Sequence, residues 1–142
     1  MKIVIIDGQG GRMGKAVIEQ LKKRCPSLET YAIGTNSTAT AAMMKAGASY
    51  GATGENPAIV NSRDADIIIG PMGIVIANSL LGEITPAMSV AIGSSSAYKI
   101  FIPVNRCNHM IVGCKDTTLT EYINLVCDEV ERRMAEYENR RI

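Results

Sequence analysis

The densest chemistry in the chain lies in Gly8-Gln9-Gly10-Gly11-Arg12-Met13-Gly14-Lys15, one residue beyond the apolar run Ile3 to Ile6. Glycines leave the backbone bare, so amides in such a turn can reach phosphate oxygens. A helix that starts there adds unpaired N–H groups and a partial positive charge. Spacing decides how the glycines are used. Read as G-x-G-x-x-G, the run matches Gly8 and Gly10 but meets Met13 in third place; read as G-x-x-G-x-x-G, it matches Gly8, Gly11 and Gly14, and this frame is the better one. Its glycines would make a tight turn, let the backbone approach a pyrophosphate and pack the helix closely on a sheet. Gln9, Arg12 and Met13 would share that contact. A bulky residue at Gly11 is expected to abolish ligand binding and leave the fold intact. The competing reading is a plain tight turn between strand and helix.

The identity of a bound nucleotide would be read further along. A NAD site places Asp or Glu about 20 residues after the loop, at the end of the second strand, to hold the ribose 2′-hydroxyl. Here that place reads Gly34-Thr35-Asn36-Ser37, and Glu29 lies at the wrong end of the strand. Thr35, Asn36 and Ser37 could hydrogen-bond a 2′-phosphate, and Arg12 could reach one from the first helix, so NADP is preferred over NAD. The same small polar residues could equally cap the next helix. Gly70-Pro71-Met72-Gly73 follows another apolar run, and backbone at Gly70, Pro71 and Gly73 could approach a ligand across from the first loop.

Catalytic groups are sparser. Asn105 to His109 brings together an amide, a guanidinium, a thiol and the only imidazole in the chain. Cys107 and His109 could act as nucleophile and base, and Arg106 could meet a carboxylate or phosphate with paired donors. Against these stand a hydrogen-bonded structural histidine and a surface ion pair. The four cysteines contain no C-x-x-C pair, so no metal site is expected. Glu55 and Glu83 lie in glycine-containing turns, where each reads as a charge near a helix start.

These residues need a frame that brings them together. Ile3 to Ile6, Thr30 to Ile33, Ala48 to Gly51, Asp66 to Gly70 and Lys99 to Val104 read as strands; several are apolar throughout, as in a parallel sheet covered on both faces. Met13, Ala16, Val17 and Leu21 recur at helical spacing, and Pro26 ends that helix. Further helices are expected after Gly34, ending at Gly47; from Asn56-Pro57 to about Asp64; over Ile74 to Leu81; and after Thr85-Pro86. Met110 to Cys114 reads as a sixth strand, too close behind the fifth for a parallel crossover, and is expected antiparallel at an edge. Thr118-Leu119-Thr120-Glu121 is a capping box opening a helix over about 118–140. The pattern implies an α/β, doubly wound, mostly parallel Rossmann-like sheet in one domain spanning 1–142.

Composition removes several alternatives. The 142 residues are 46% hydrophobic, enough for a sizeable core. Fifteen basic against fourteen acidic residues give a net charge of +1, too balanced for broad nucleic-acid affinity, and one Phe, five Tyr and no Trp leave few platforms for stacking bases. The first apolar run is too short for a signal peptide or a membrane span, so the protein is expected in the cytoplasm.

The glycine run resembles the nucleotide loop of dihydrodipicolinate reductases, and that resemblance implies a bound NADPH or NADH there. It covers only the region up to the first helix. Over its whole length the chain is similar to a small bacterial family described as a domain of unknown function. That likeness rests on Ile6-Asp7-Gly8-Gln9-Gly10-Gly11, Gly34-Thr35-Asn36-Ser37, Gly51-Ala52-Thr53-Gly54-Glu55-Asn56, Gly70-Pro71-Met72-Gly73 and Ile102-Pro103-Val104-Asn105-Arg106-Cys107-Asn108. Three readings follow: an NAD(P)-type nucleotide-binding protein; an NADP-dependent oxidoreductase whose site a partner subunit completes, with the last helix as a homo-oligomer contact; and an assembly subunit with a vestigial loop.

Overall fold

The computed structural model describes residues 1–104 and 109–142. Five strands, β1 (Ile3–Asp7), β2 (Thr30–Gly34), β3 (Tyr50–Thr53), β4 (Ile67–Pro71) and β5 (Tyr98–Ile102), form one sheet in the order β3-β2-β1-β4-β5. Every neighbouring pair is parallel. Helices α1 (Arg12–Arg24), α2 (Ser37–Lys45), α3 (Glu55–Ser62), α4 (Pro86–Ser94) and α5 (Leu119–Asn139) cover its faces.

The period of two in the strands sorts the core into two halves. Ile3, Ile5, Ile67 and Ile69 pack on the side of α1 and α5, with Val17, Leu21, Met43, Val126 and Val130. Val4, Ile6 and Ile68 point the other way, onto Ala58 of α3 and Met88 and Ile92 of α4. This is the expected doubly wound, Rossmann-like arrangement, with a switch point between β1 and β4, where the chain changes direction across the sheet.

Local chemistry sets the element ends. Asn36 caps α2 by accepting from the Ala39 amide at 2.8 Å, and Thr85 caps α4 through the Met88 amide at 3.2 Å with Pro86 at the first helical position. Thr118 and Glu121 complete the capping box of α5. Gly47 takes φ +111°, closing α2 in the left-handed region that glycine favours. Asn56 does not cap α3: Gly54, at φ +108°, precedes Glu55, and Pro57 falls within the first turn, where a missing N–H costs nothing.

Two expectations about elements fail. Ile74 to Leu81 is not a regular helix; a 3-10 turn over Met72–Val75 leads into a turn-rich loop through Thr85. Asn78, Leu80 and Leu81 there have positive φ, which no right-handed helix accommodates. Nor is there an antiparallel last strand, since β5 is parallel to β4 and residues 110–114 are irregular. Met110 and Val112 stand exposed and Gly113 takes φ +82°, so this apolar run joins no ladder.

The apolar stripe of α5 is absorbed by its own chain through Ile123, Val126, Cys127 and Val130. Arg24 of α1 grips Glu131 with two hydrogen bonds, at 2.8 and 2.7 Å, and reaches Asp128 at 2.6 Å. Arg132 and Arg133 pair with Glu129 and Glu136 along the solvated face. Among the described residues no helix is long and apolar enough to cross a membrane.

Candidate functional site

The loop between β1 and α1 is shaped by a carboxylate. Asp7, at the end of β1 and only 5% exposed, accepts from the Gly8 amide at 2.8 Å through Oδ1 and from the Gly14 amide at 2.8 Å through Oδ2. The Met13 amide also donates to it. An acid at this place neutralises the orphan donors and partial positive charge of a helix start. Burial pushes the Asp7 carboxyl above the ordinary aspartate range, outweighing the three amides that favour its anion, and the nearby Glu83 charge adds to the rise.

A second carboxylate arrives from the 76–85 loop. Glu83 accepts from the Gln9 amide at 2.9 Å and from the Thr35 hydroxyl at 3.2 Å, and the Asn36 side-chain amide also donates to it. Asn36 further donates to the Gln9 carbonyl at 2.9 Å. Three segments thus meet at one acid, and the loop is strapped across the ends of β1 and β2. The strap is internally tied as well, by Asn78 N–H to Ile84 O at 2.7 Å and Ile84 N–H to Ser79 O at 3.2 Å.

The glycines divide by what surrounds them. A Cβ on Gly8 would stand 2.5 Å from Thr35 Oγ1 and 2.9 Å from Leu80 Cδ1; one on Gly11 would stand 2.7 Å from Ala39 Cα, and Gly11 is also at φ +70°. One on Gly14 would run into Met43 Sδ and lie 3.1 Å from Asp7 Cβ. The G-x-x-G-x-x-G frame therefore marks packing positions. The expectation that a bulky residue at Gly11 spares the fold is corrected: that site is closed by the α2 backbone. Gly10, outside this frame, is the open one, since a Cβ there meets only Arg12 Cγ at 3.9 Å. The Gly11 amide closes the turn on Gly8 O at 2.9 Å, whereas those of Gly10 and Arg12 donate to no group among the described residues.

A cavity of about 650 Å³ opens over the carboxyl ends of β1, β4 and β5. Small-molecule sites usually run to about 300–1,000 Å³. Its floor is Asp7 and residues 8–13, with Pro71 and Gly73 beyond β4; Leu80, Leu81, Pro103, Val104, Leu119 and Tyr122 make its walls apolar. Ser79, His109, Thr117 and the Tyr122 hydroxyl bring polar groups to the walls, as Asp7, Gln9 and Arg12 do to the floor. Leu81 is 95% exposed at the rim.

The sequence-derived candidates are thus partly assembled. Gly8 to Met13, Pro71, Gly73 and His109 line the cavity. Gly34, Thr35, Asn36 and Ser37 do not; Gly34 lies under Thr40, and Thr35 and Asn36 are engaged by Glu83. Gly70 is pressed against Ile6 O and also lies outside it. Gly14 serves packing. Arg106 and Cys107 lie outside the described residues. The roles of Asp7 and Glu83 were not foreseen: an acid directly before a glycine turn was a readable capping signal, but nothing local announced that Glu83 would cross to β2. Among the described residues no group of three or more His, Cys, Asp or Glu could hold a metal ion.

The chain belongs to the family described as Domain of unknown function (DUF3842), whose model matches residues 2–135. The comparison with curated proteins gives no match. Among solved structures the chain is similar to a dodecameric FMN-dependent UbiX-like decarboxylase from Escherichia coli O157:H7, at 17% identity and a TM-score of 0.48, over 95% of this chain and 76% of that one.

Proposed function

We propose that this member of the family is a nucleotide-binding protein that takes one compact, mononucleotide-sized ligand over β1, β4 and β5. The phosphate sits on the open amides of Gly10 and Arg12. The observation that carries this reading is the coincidence of three things at one switch point: the 650 Å³ cavity, the start of α1, and a glycine with free space above it. Apolar walls then shelter the rest of the ligand.

An NAD(P) dinucleotide, suggested by the likeness of the loop to dihydrodipicolinate reductases, needs the end of β2 as well. Glu83 stands there with Thr35 and Asn36 as its donors, and a carboxylate repels a 2′-phosphate. A ligand confined to the β1, β4 and β5 side is favoured over an extended one. The assembly-subunit reading draws on a different observation: Asp7 and Glu83 already take the amides of Gly8, Gln9, Met13 and Gly14.

A thermal-shift panel of AMP, ATP, FMN, coenzyme A, NAD, NADP and the reduced dinucleotides separates these readings. A rise with mononucleotides is expected, and a larger one with dinucleotides would restore the extended site. Gly10→Val should cancel the rise and leave the unliganded melting temperature within about 1–2 °C, because the added methyls enter open space. A flat response to the whole panel leaves the assembly subunit.

A further inference from the structure

The groups that hold Glu83 are committed donors. The Gln9 main-chain N–H, 2.9 Å from the carboxylate, can only donate. Asn36 spends its side-chain oxygen on the Ala39 amide at 2.8 Å, so Nδ2 is the atom left to face the acid, and it donates there. The Thr35 hydroxyl adds a third bond at 3.2 Å. Such a set, drawn from the glycine turn and the end of β2, fits a group that only accepts: a carboxylate, or equally a phosphoryl group. Its space is made by a missing side chain. A Cβ on Gly8 would stand 2.5 Å from Thr35 Oγ1 and 3.3 Å from Glu83 Oε2, so only a bare Gly8 lets donor and acid close on the turn. Gly8 and Gln9 also line the cavity, whereas Glu83, Thr35 and Asn36 do not. Gln9 is followed directly by Gly10, whose open amide takes the ligand's phosphate in the reading above. Bringing an acid to this place is costly: its charge adds to burial in raising Asp7, and the strap that delivers it keeps Asn78, Leu80 and Leu81 in left-handed backbone. Backbone strain of this kind collects at functional sites.

We propose that Glu83 is a resident anion in a second phosphate seat: its carboxylate stands in for the outer phosphoryl group of a nucleoside diphosphate, and by occupying that seat it makes the site favour monophosphates. This rests on the nucleotide reading for the inner phosphate and adds to it the residue that sets how many phosphates the ligand carries. The selectivity comes from like charge set against the competitor, not from better contacts to the favoured ligand.

Glu83→Ala empties the seat and leaves behind its donors, which belong to the turn and the end of β2. Calorimetry with AMP and ADP is expected to show AMP bound better by the parent. In the variant ADP should gain about tenfold or more in affinity, with AMP changed by less than about threefold. A gain for ADP no larger than that for AMP would overturn the proposal. Amide exchange reads the seat without any nucleotide. Inorganic phosphate should slow exchange at the Gln9 amide in Glu83→Ala and leave it unaltered in the parent, while the Asn78 and Ile84 amides of the variant stay fast because the strap remains released. A Gln9 amide indifferent to phosphate in the variant refutes the seat, whatever the nucleotides do. Binding of neither nucleotide by the parent, together with protection of Gln9 by phosphate in the variant, would instead overturn the nucleotide reading and leave the seat standing. Glu83→Gln keeps the length of the side chain and removes its charge, and it serves if the alanine variant does not fold. Its preference for AMP over ADP should fall by about threefold or more; a preference equal to the parent's counts against the proposal.

Discussion

One carboxyl group decides what the glycine turn is. Asp7 holds the amides of Gly8, Met13 and Gly14 from below the turn, so much of the positive end of α1 is answered from within. In Asp7→Asn the side chain keeps one acceptor and gains a donor, leaving an N–H facing an N–H, and a loss of about 1–3 kcal/mol is expected in urea unfolding at neutral pH. The pH dependence has a defined sign. The folded state raises the Asp7 pKa above its unfolded value of 3.8, so its contribution to stability is fully present below that value and declines as pH rises through the folded value. The stability difference between parent and Asp7→Asn should shrink over that interval. Glu129, held down to about 2 chiefly by Arg132, acts in the opposite direction: its contribution is present above the ordinary glutamate range and is lost as acid approaches pH 2. At this scale the sequence was informative about type and less so about direction. Glycine spacing located the turn, but it could not tell that Gly11 faces Ala39 and Gly10 faces open space, because that depends on where α2 packs.

Among the elements, the loop from 76 to 85 departs furthest from its sequence pattern. Its apolar residues suggested a buried helix, yet Ile74 and Ile84 are buried and Leu81 projects outward, with Asn78, Leu80 and Leu81 in left-handed backbone. Such residues cost energy and persist where neighbouring bonds hold them. The holding bonds are those of Glu83 to Gln9, Thr35 and Asn36. Glu83→Ala should therefore release the strap before it affects the sheet. Hydrogen exchange at the Gln9, Asn78 and Ile84 amides is expected to speed by about tenfold or more, with the β1 amides unchanged. Equal acceleration across β1 would mean that the strap is part of the global folding unit. The helix caps, by contrast, were legible residue by residue, because the Asn36, Thr85 and Thr118 signals are local and each found its amide.

At the level of the whole molecule, alternation carried the architecture. Runs such as Ile67, Ile68 and Ile69 are apolar at every position because both faces of the sheet are covered, and the structure buries all three. Ile5 lies on β1, the central strand of the order, and is fully buried; Ile5→Ala should cost about 2–5 kcal/mol in chemical denaturation with the cavity residues untouched. The reversed final strand was read from Met110 to Cys114 because those residues are of strand-forming type; that the described sheet ends at β5 is a matter of long-range pairing, which a local pattern does not carry. The two acids beneath and beside the glycine turn have a further consequence. A chain that supplies its own counter-charges offers an incoming phosphate little net attraction, so its grip depends on dipoles, fit and sheltered surface. Ionic strength, which governs most anion sites, should matter little to this one.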